Sequence, residues 1–303
     1  MKVLITGKNG QLGSELQNSC PADIEVEFFD SQSLDITDIA KVNEVLIAFS
    51  PDIVINTAAY TAVDKAESDQ AAAYAVNETG AANLANVCKA INAKLIHIST
   101  DFVFDGTKTT PYIASDTTNP LGVYGASKLA GEQAVERILG SQATIVRTAW
   151  VYSQFGNNFV KTMLRLMAEK TELGIVGDQV GTPTWAAGLA NMLWALIVNT
   201  SSCNSSQVVT NDELNKATIL HWTDAGVASW YDFAVAIQEL AIDKGLLTKA
   251  IPIKPIPAAS YHTPAIRPAF SVIDKSKAEL VSGITTIHWR KQLNAMLNQL
   301  KNG

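Results

Sequence analysis

The stretch that decides the fold is KVLITGKNGQLGSEL, residues 2–16. A short β-branched run ends at Gly7, and Gly10 and Gly13 follow before a helical pattern begins. Glycines at a strand-to-helix turn let the backbone approach a pyrophosphate, and the helix N-terminus presents unpaired N–H groups to it. Because the spacing is G-x-x-G-x-x-G rather than G-x-G-x-x-G, a tight turn without a ligand is the alternative interpretation.

The alternation of strand and helix continues to about residue 150. Predicted strands span 2–6, 25–29, 53–56, 94–99 and 143–147, and predicted helices span 11–18, 39–49, 69–91 and 124–139. The strands are nearly continuous apolar runs, which is typical of parallel strands covered on both faces. The sequence therefore predicts an α/β fold, a Rossmann-like doubly wound parallel sheet that forms a dinucleotide-binding domain over residues 1–150.

The second half of the chain has a looser pattern. Turn-forming clusters lie at 156–158, 177–183 and 199–206, and helical patterns cover 158–169 and 185–198. The segment 251–268 has prolines at 252, 255, 257, 264 and 268, which indicates an ordered loop without regular helix. We predict a smaller C-terminal domain, mainly for substrate binding, over 151–303, with part of 185–220 returning to the Rossmann domain.

The composition of the chain argues against several classes of protein. The 303 residues are 47% hydrophobic and 17% charged, which excludes disorder for most of the chain. A net charge of −6 argues against a nucleic-acid partner. Cys20, Cys88 and Cys203 are too widely spaced for a disulfide framework or a C-x-x-C metal site, and no signal peptide or membrane-spanning segment is visible. We therefore expect a cytoplasmic protein without a membrane partner.

Asp30 follows the second predicted strand, 17 residues after Gly13. This is near the offset at which a carboxylate binds the adenine ribose hydroxyls, and a carboxylate there repels a 2′-phosphate. NADH is therefore expected to fit. Lys8, inside the glycine loop, partly offsets the repulsion and admits NADPH, while a solvated acid at a strand end is the alternative interpretation.

Tyr124 and Lys128 are four residues apart at the start of a predicted helix, so their side chains share one face. A neighbouring ammonium is expected to lower the pKa of the phenol and to make it an effective proton donor and acceptor. Thr100 ends a strand, where doubly wound sheets bind ligands, and is predicted to contact the same substrate oxygen. His97, inside that strand, is interpreted as a packed core side chain.

Six further blocks carry a more specific pattern. They are NTAAYTAVDKAE (56–67), STDFVFDG (99–106), YGASKLAGE (124–132), RTAWVY (147–152), GNNFV (156–160) and DQVGTPT (178–184). Together with the glycine turn, these blocks closely resemble the dTDP-4-dehydrorhamnose reductase family of the extended short-chain dehydrogenase/reductase superfamily. The resemblance runs from residue 1 to at least 267.

This resemblance implies reduction of the C4 ketone of dTDP-4-dehydro-β-L-rhamnose by NADH or NADPH, with a dTDP-sugar as substrate. It implies catalytic roles for Thr100, Tyr124 and Lys128 and sugar-nucleotide contacts from Thr100, Asp101 and Trp150. An indole at Trp150 can pack on a deoxysugar ring, although a core tryptophan is the alternative. The cofactor-binding residues expected from the turn and the resemblance are Gly7, Gly10, Gln11, Leu12, Gly13, Asp30, Asp35, Ile36, Ala59, Tyr60, Thr61 and Lys128.

Arg267 and the family's magnesium site need separate treatment. Arg267, between two prolines, is predicted to reach the substrate diphosphate, with a plain surface arginine as an equal alternative. Some family members carry a carboxylate-lined magnesium site at a dimer interface. Glu15 is present, but the helix after Thr184 supplies no acid, so Mg²⁺ is not favoured and no metal site is predicted. The resemblance leaves a homodimer open.

Two other functions remain open at this point. One is a different sugar-nucleotide reductase or epimerase of the same superfamily, and stoichiometric NADH consumption would separate a reductase from an epimerase. The other is a non-catalytic subunit resembling the regulatory partner of methionine adenosyltransferase. The intact set of Thr100, Tyr124 and Lys128 favours catalysis.

Overall fold

The computed structural model of the protein describes residues 1–202 and 216–302. Its strands are β1 (Lys2–Thr6), β2 (Glu25–Phe29), β3 (Ile53–Asn56), β4 (Lys94–Thr100), β5 (Ala143–Thr148), β6 (Val151–Tyr152), β7 (Leu173–Val176), β8 (Val180–Gly181), β9 (Thr184–Trp185), β10 (Thr218–Trp222), β11 (Ala228–Ser229) and β12 (Ile253–Ile256). Its α-helices are α1 (Gln11–Asn18), α2 (Ile39–Phe49), α3 (Val63–Ala66), α4 (Gln70–Tyr74), α5 (Ala81–Ile91), α6 (Val123–Leu139), α7 (Phe159–Glu169), α8 (Ala186–Ser202), α9 (Trp230–Asp243), α10 (Ser276–Ser282) and α11 (Trp289–Asn302). Cys203 and the second half of the predicted turn cluster at 199–206 lie outside the described residues, whereas the first half, 199–202, belongs to α8 and not to a turn.

A six-stranded parallel sheet, in the order β10-β5-β4-β3-β1-β2, forms the centre of the described residues. Alternate side chains of β1 are buried on opposite faces. Val3 and Ile5 pack with α1 and α8, whereas Leu4 packs with α2 and α5. Burial on both faces explains the continuous apolar runs, and the predicted doubly wound α/β fold is confirmed.

The predicted helix over 69–91 forms as three consecutive pieces. A π-helical segment, Ala75–Gly80, lies between α4 and α5. It carries the buried Asn77, whose amide oxygen accepts the Tyr60 backbone N–H at 2.9 Å and whose amide nitrogen donates to Ser127 at 3.0 Å. Asn77 on the π-helical segment thus joins the segment after β3 to α6, next to the cleft described below.

The strand β10 was not predicted from the sequence. It comes from the second half of the chain and pairs in parallel with β5, from Thr218 opposite Thr144 to Trp222 opposite Thr148. Its pairing partner is more than seventy residues away, so no local pattern marks it. The domain boundary at residue 150 and the assignment of 185–220 stay predictions.

A second apolar cluster lies outside the central sheet and is formed largely by α7, α9 and α11. Helix α9 begins with a capping box between Ser229 and Asp232. The proline-rich segment 251–268 contains a short strand, β12, that pairs with β7, which differs from the predicted loop. Pro255 is compatible with this strand because β12 is an edge strand with a single neighbour. Within residues 1–202 and 216–302, none of the helices has the length and apolar character needed to cross a bilayer.

Candidate active site

A cleft of about 860 Å³ opens at the carboxyl ends of the central strands. Parallel strands of a doubly wound sheet expose their loops at this edge, where ligands are usually bound. Most residues predicted for the site line it, namely Gly7, Gly10, Gln11, Leu12, Asp30, Asp35, Ile36, Ala59, Tyr60, Thr61, Thr100, Asp101, Tyr124, Lys128 and Trp150. Gly13 and Arg267 are the two predicted residues that do not line this cleft.

The glycine turn forms one end of the cleft. Gly7 has φ +76°, and a Cβ at this position would overlap Thr57 and the backbone of Ala58. Gly10 is the N-cap of α1 and has no side chain to satisfy the first N–H groups of the helix. A Cβ at Gly13 would collide with the carbonyl oxygen of Gly7, so Gly13 allows α1 to pack closely on the turn. The turn therefore leaves backbone N–H donors exposed, an arrangement that is typical of pyrophosphate-binding turns.

Asp30 is held on both of its carboxylate oxygens. Oδ1 accepts hydrogen bonds from the Ser33 hydroxyl at 2.8 Å and the Ser33 N–H at 2.9 Å. Oδ2 lies 3.2 Å from both Lys8 Nζ and Asn9 Nδ2. Ser33 first, and then Lys8, hold the pKa of Asp30 well below its usual range. The carboxylate therefore stays charged, with the Lys8 ammonium beside it.

Thr100 and Tyr124 meet at the end of β4. The Thr100 hydroxyl donates to Asp101 Oδ1 at 3.1 Å and accepts the Phe102 N–H at 3.2 Å, and the Tyr124 ring lies edge-on to Phe102 with 5.6 Å between centroids. Burial raises the pKa of Tyr124 to about 12; the Thr100 hydroxyl opposes this shift and the charge of Asp101 adds to it. The expectation that Lys128 lowers the pKa of this phenol was wrong for the free protein, because burial dominates.

Lys128 is buried, with 2% of its surface exposed. Its Nζ donates to the Ile98 carbonyl at 2.6 Å and lies 3.5 Å from His97 Nε2. Burial lowers the pKa of Lys128 to about 8, and the charge of Glu132 opposes this shift. The amine is thus less firmly protonated than an ordinary lysine.

A buried ion pair beneath the site was missed from the sequence. Arg147 on β5 donates to Glu132 on α6 through Nε at 2.9 Å and Nη2 at 2.6 Å, and the Ser99 hydroxyl donates to the same carboxylate at 2.5 Å. Both charged side chains are almost fully buried. Glu132 is four residues after Lys128 and eight after Tyr124, a helical spacing that could have identified it. The pair fixes α6, and with it Tyr124 and Lys128, on the sheet.

Asp101 and Trp150 occupy the side of the cleft predicted for the sugar. Asp101 is buried, which raises its pKa to about 6, and its Oδ2 has no hydrogen-bond partner. Trp150 has φ +47°, and its indole stacks on Trp230 with 3.5 Å between ring centroids and 7° between planes. One face of Trp150 is therefore covered by protein, which the sequence did not indicate.

Arg267 is occupied by a partner within the chain. Its guanidinium makes two bonds to Asp64, at 3.0 and 2.8 Å, and a third to the Thr263 hydroxyl at 2.6 Å. These bonds join the proline-rich segment to α3. Contact between Arg267 and a diphosphate stays a prediction, and it requires the guanidinium to leave Asp64.

Glu15 does not have the surroundings of a hard-metal ligand. It is 1% exposed, and its Oε1 accepts hydrogen bonds from the Ser153 hydroxyl at 2.6 Å and from Trp185 Nε1 at 3.3 Å. Within the described part of the chain, no group of three or more His, Cys, Asp or Glu side chains is arranged to hold a metal ion. Since Mg²⁺ needs several oxygen ligands, these residues do not fit a carboxylate-lined magnesium site.

The combination of fold and site defines a class of protein. A doubly wound sheet that brings a glycine turn, Thr100, Tyr124 and Lys128 to one cleft has the architecture of short-chain dehydrogenases/reductases. The family model described as RmlD substrate binding domain matches residues 1–302. The chain therefore belongs to the RmlD substrate binding domain family.

Similar proteins cover the whole chain. A dTDP-4-dehydrorhamnose reductase of Burkholderia thailandensis is 39% identical, with 99% of each chain covered. A solved dTDP-4-dehydrorhamnose reductase of Clostridium acetobutylicum is 40% identical, with a TM-score of 0.88, 99% of this chain and 100% of that chain covered. A further solved dTDP-4-dehydrorhamnose reductase, of Bacillus anthracis and in complex with NADP, is 35% identical. Its TM-score is 0.87, with 98% of this chain and 99% of that chain covered. The resemblance inferred from the sequence blocks is confirmed.

Proposed function

We propose that the protein reduces the C4 ketone of dTDP-4-dehydro-β-L-rhamnose to dTDP-L-rhamnose with NADH or NADPH. The observation that carries this proposal is that Thr100, Tyr124 and Lys128 line the same cleft as the glycine turn, with Tyr124 and Lys128 one turn apart on α6. The names of the full-length relatives and the bound NADP in one of them support the same reaction.

The residues at the glycine end of the cleft fit a nicotinamide dinucleotide. The open backbone of Gly7 and Gly10 at the N-terminus of α1 suits the pyrophosphate. Asp30 and Lys8 together face the adenine ribose, Asp30 as a hydroxyl acceptor and Lys8 as a cation for a 2′-phosphate. A bound dihydronicotinamide supplies hydride to the carbonyl carbon. Lys128, near the middle of the cleft, bonds the nicotinamide ribose.

The side chains around the ketone stabilise the charge that develops on its oxygen. Tyr124 gives its proton to this oxygen while Thr100 holds the same atom by a hydrogen bond. A phenol with a raised pKa stays protonated in the free protein and so is ready to act as the acid. Asp101 Oδ2, buried and without a partner, accepts a sugar hydroxyl, and the part of Trp150 that lines the cleft packs against the sugar ring.

The roles of the two halves of the chain, its location and its assembly are also proposed. Residues 1–150 hold the dinucleotide, and 151–303 mainly hold the dTDP-sugar, with part of 185–220 completing the Rossmann domain. We propose a cytoplasmic location, no metal cofactor, and a homodimer as the assembly to be tested. Arg267 is the proposed ligand of the diphosphate once it is released from Asp64.

The decisive experiment follows NADPH oxidation in the presence of the 4-keto sugar nucleotide and identifies the product. We expect one cofactor molecule to be oxidised for each deoxysugar formed. An epimerase would convert substrate without net consumption of cofactor, and a regulatory subunit would show neither reaction. Either of these results would overturn the proposed function.

Asp30 gives a test of cofactor choice. We expect both NADH and NADPH to support turnover, with NADH at least as effective. Asp30→Ala removes the acceptor for the ribose hydroxyls and leaves Lys8, so NADH binding should weaken more than NADPH binding. Titration of cofactor fluorescence measures both affinities. Equal loss of the two would mean that Asp30 only organises the turn through Ser33.

Removal of metal gives a second test. We expect activity to survive treatment with EDTA, because Glu15 is hydrogen-bonded inside the protein and α8 supplies no acid next to it. The rate of NADPH oxidation before and after chelation is the measurement. Full inactivation that Mg²⁺ reverses would show that this expectation is wrong.

A further inference from the structure

Three neighbouring strands carry a row of buried polar side chains toward the cleft. Thr6 lies opposite Asn56, and Asn56 lies opposite His97, in the register of β1, β3 and β4. The Thr6 hydroxyl donates to Asn56 Oδ1 at 2.7 Å, and Asn56 Nδ2 lies 3.0 Å from His97 Nδ1. Each of the three residues is 1% exposed. Such a row costs free energy unless every group is paired, so the orientation of each group is defined by the next.

The backbone N–H of Ala58 fixes this orientation. It lies 3.2 Å from Asn56 Oδ1, and because an N–H can only donate, the amide oxygen must face it. The amide nitrogen of Asn56 then faces His97 and donates to Nδ1. Burial, together with the Lys128 charge, holds the pKa of His97 well below its usual value, so the ring is neutral. A neutral ring that accepts at Nδ1 carries its hydrogen on Nε2.

This hydrogen points toward Lys128. His97 Nε2 and Lys128 Nζ are 3.5 Å apart, and an ammonium group has donors but no acceptor. We propose that His97 is a positioning residue for Lys128, and that its Nε2–H, which an ammonium group cannot accept, opposes positive charge on the amine. Neutral Lys128, in contrast, can accept this N–H.

Other groups around Lys128 also influence whether its amine is charged. The Ile98 carbonyl accepts from Nζ at 2.6 Å and favours the charged form, as does Glu132 on the same helix. Arg147 on β5 is paired with Glu132, and the charge of Asp101 raises the pKa of Tyr124. Among the side chains described here, His97 is thus the polar group from β4 that faces the amine and disfavours its charge.

The consequence for pH dependence rests on the proposed function, in which Lys128 bonds the nicotinamide ribose, because the charged amine is the stronger hydrogen-bond donor. Turnover then falls as the pH rises through the pKa of Lys128. Removing the N–H of His97 removes an interaction that disfavours the charged amine, so the pKa of Lys128 should rise. The alkaline limb of the kcat profile should therefore move to higher pH.

The variants His97→Asn and His97→Gln separate the two contacts of the ring. The shorter Asn keeps an acceptor for Asn56 but cannot reach Lys128, whereas the longer Gln amide can accept from Asn56 and donate toward Lys128. We expect the midpoint of the alkaline limb to rise by about 0.5 to 1 pH unit in His97→Asn and to return toward its original value in His97→Gln. His221→Asn is the matched control, since His221 is equally buried in the same sheet but bonds to Tyr112.

An unchanged midpoint in folded His97→Asn, or an equal shift in His221→Asn, would overturn the proposal. A measurement on the unmodified protein covers the case in which His97→Asn does not fold. Nitrogen NMR of ¹⁵N-histidine should show hydrogen on Nε2 of His97 but on Nδ1 of His221, because the Tyr112 carbonyl accepts from His221. Hydrogen on Nδ1 of His97 would contradict the inference.

The same NMR experiment distinguishes failure of this inference from failure of the proposed function. The His97 Nε2 signal should change with pH as Lys128 loses its proton, and this change should vanish in Lys128→Met. This result needs no substrate. A protein that shows it but does not reduce the 4-keto sugar would refute the proposed reaction alone, and a His97 signal unaffected by Lys128→Met would refute the coupling alone.

Discussion

Replacement of Tyr124 by Phe is expected to lower kcat by about 10²–10⁴-fold, the usual contribution of a positioned general acid. The phenol oxygen is needed only when the ketone oxygen gains charge, so its loss removes stabilisation of the transition state. The cofactor-binding groups at the glycine turn are untouched. NADPH affinity should therefore stay nearly unchanged, and kcat should fall without a matching loss of binding.

Steady-state rates and fluorescence titration of NADPH together test this expectation. Tyr112→Phe is a suitable control because Tyr112 is also buried and its hydroxyl bonds to Asp105, outside the cleft. The control should lose some stability but keep its kcat. A Tyr124→Phe enzyme with near-normal kcat would exclude Tyr124 as the proton donor.

Replacement of Lys128 by Met is expected to reduce turnover and cofactor affinity together. Methionine fills most of the buried volume of the lysine stem but has no ammonium group, so the contact with the nicotinamide ribose and the charge beside Tyr124 are lost at once. Loss of a buried charged hydrogen-bond donor in an active site commonly lowers kcat by about 10²-fold or more. The pattern should thus differ from that of Tyr124→Phe, in which binding is spared.

The two effects of Lys128→Met can be measured separately. Fluorescence titration gives the NADPH affinity, and rates at saturating cofactor give kcat. Lys275→Met is a suitable control, because Lys275 is half-buried, which lowers its pKa as burial does for Lys128, and lies outside the cleft. If Lys128→Met lowered kcat alone, the ribose contact proposed for Lys128 would be wrong.

Features encoded by neighbouring residues could be predicted from the sequence. The turn from β1 to α1, the carboxylate after β2 and the helical spacing of Tyr124 and Lys128 are all local patterns, and the structure brings them to one cleft. Periodicity of apolar residues likewise predicted the parallel strands, because burial on both faces leaves few polar positions. The fold class followed from these signals alone.

Contacts between distant parts of the chain could not be predicted in this way. Arg267 pairs with Asp64 across 203 positions, and the tautomer of His97 depends on Asn56, 41 positions away. The stacking of Trp230 on Trp150 also depends on how two apolar clusters meet. Single-residue chemistry suggested what each side chain can do, but its partner depends on the tertiary fold.

The pairing of β10 with β5 has a consequence for dividing the chain. A fragment ending at residue 150 would leave β5 as an unprotected edge, with free N–H and C=O groups along its length. It would also lack α8, whose Leu189 and Leu193 cover the face of the sheet that includes Val3 and Ile5. Such a fragment should aggregate when expressed alone, whereas a piece that rejoins residues 186–222 to it should gain solubility. Protein engineers who wish to exchange the sugar-binding half between relatives should therefore keep α8 and β10 with the nucleotide-binding half.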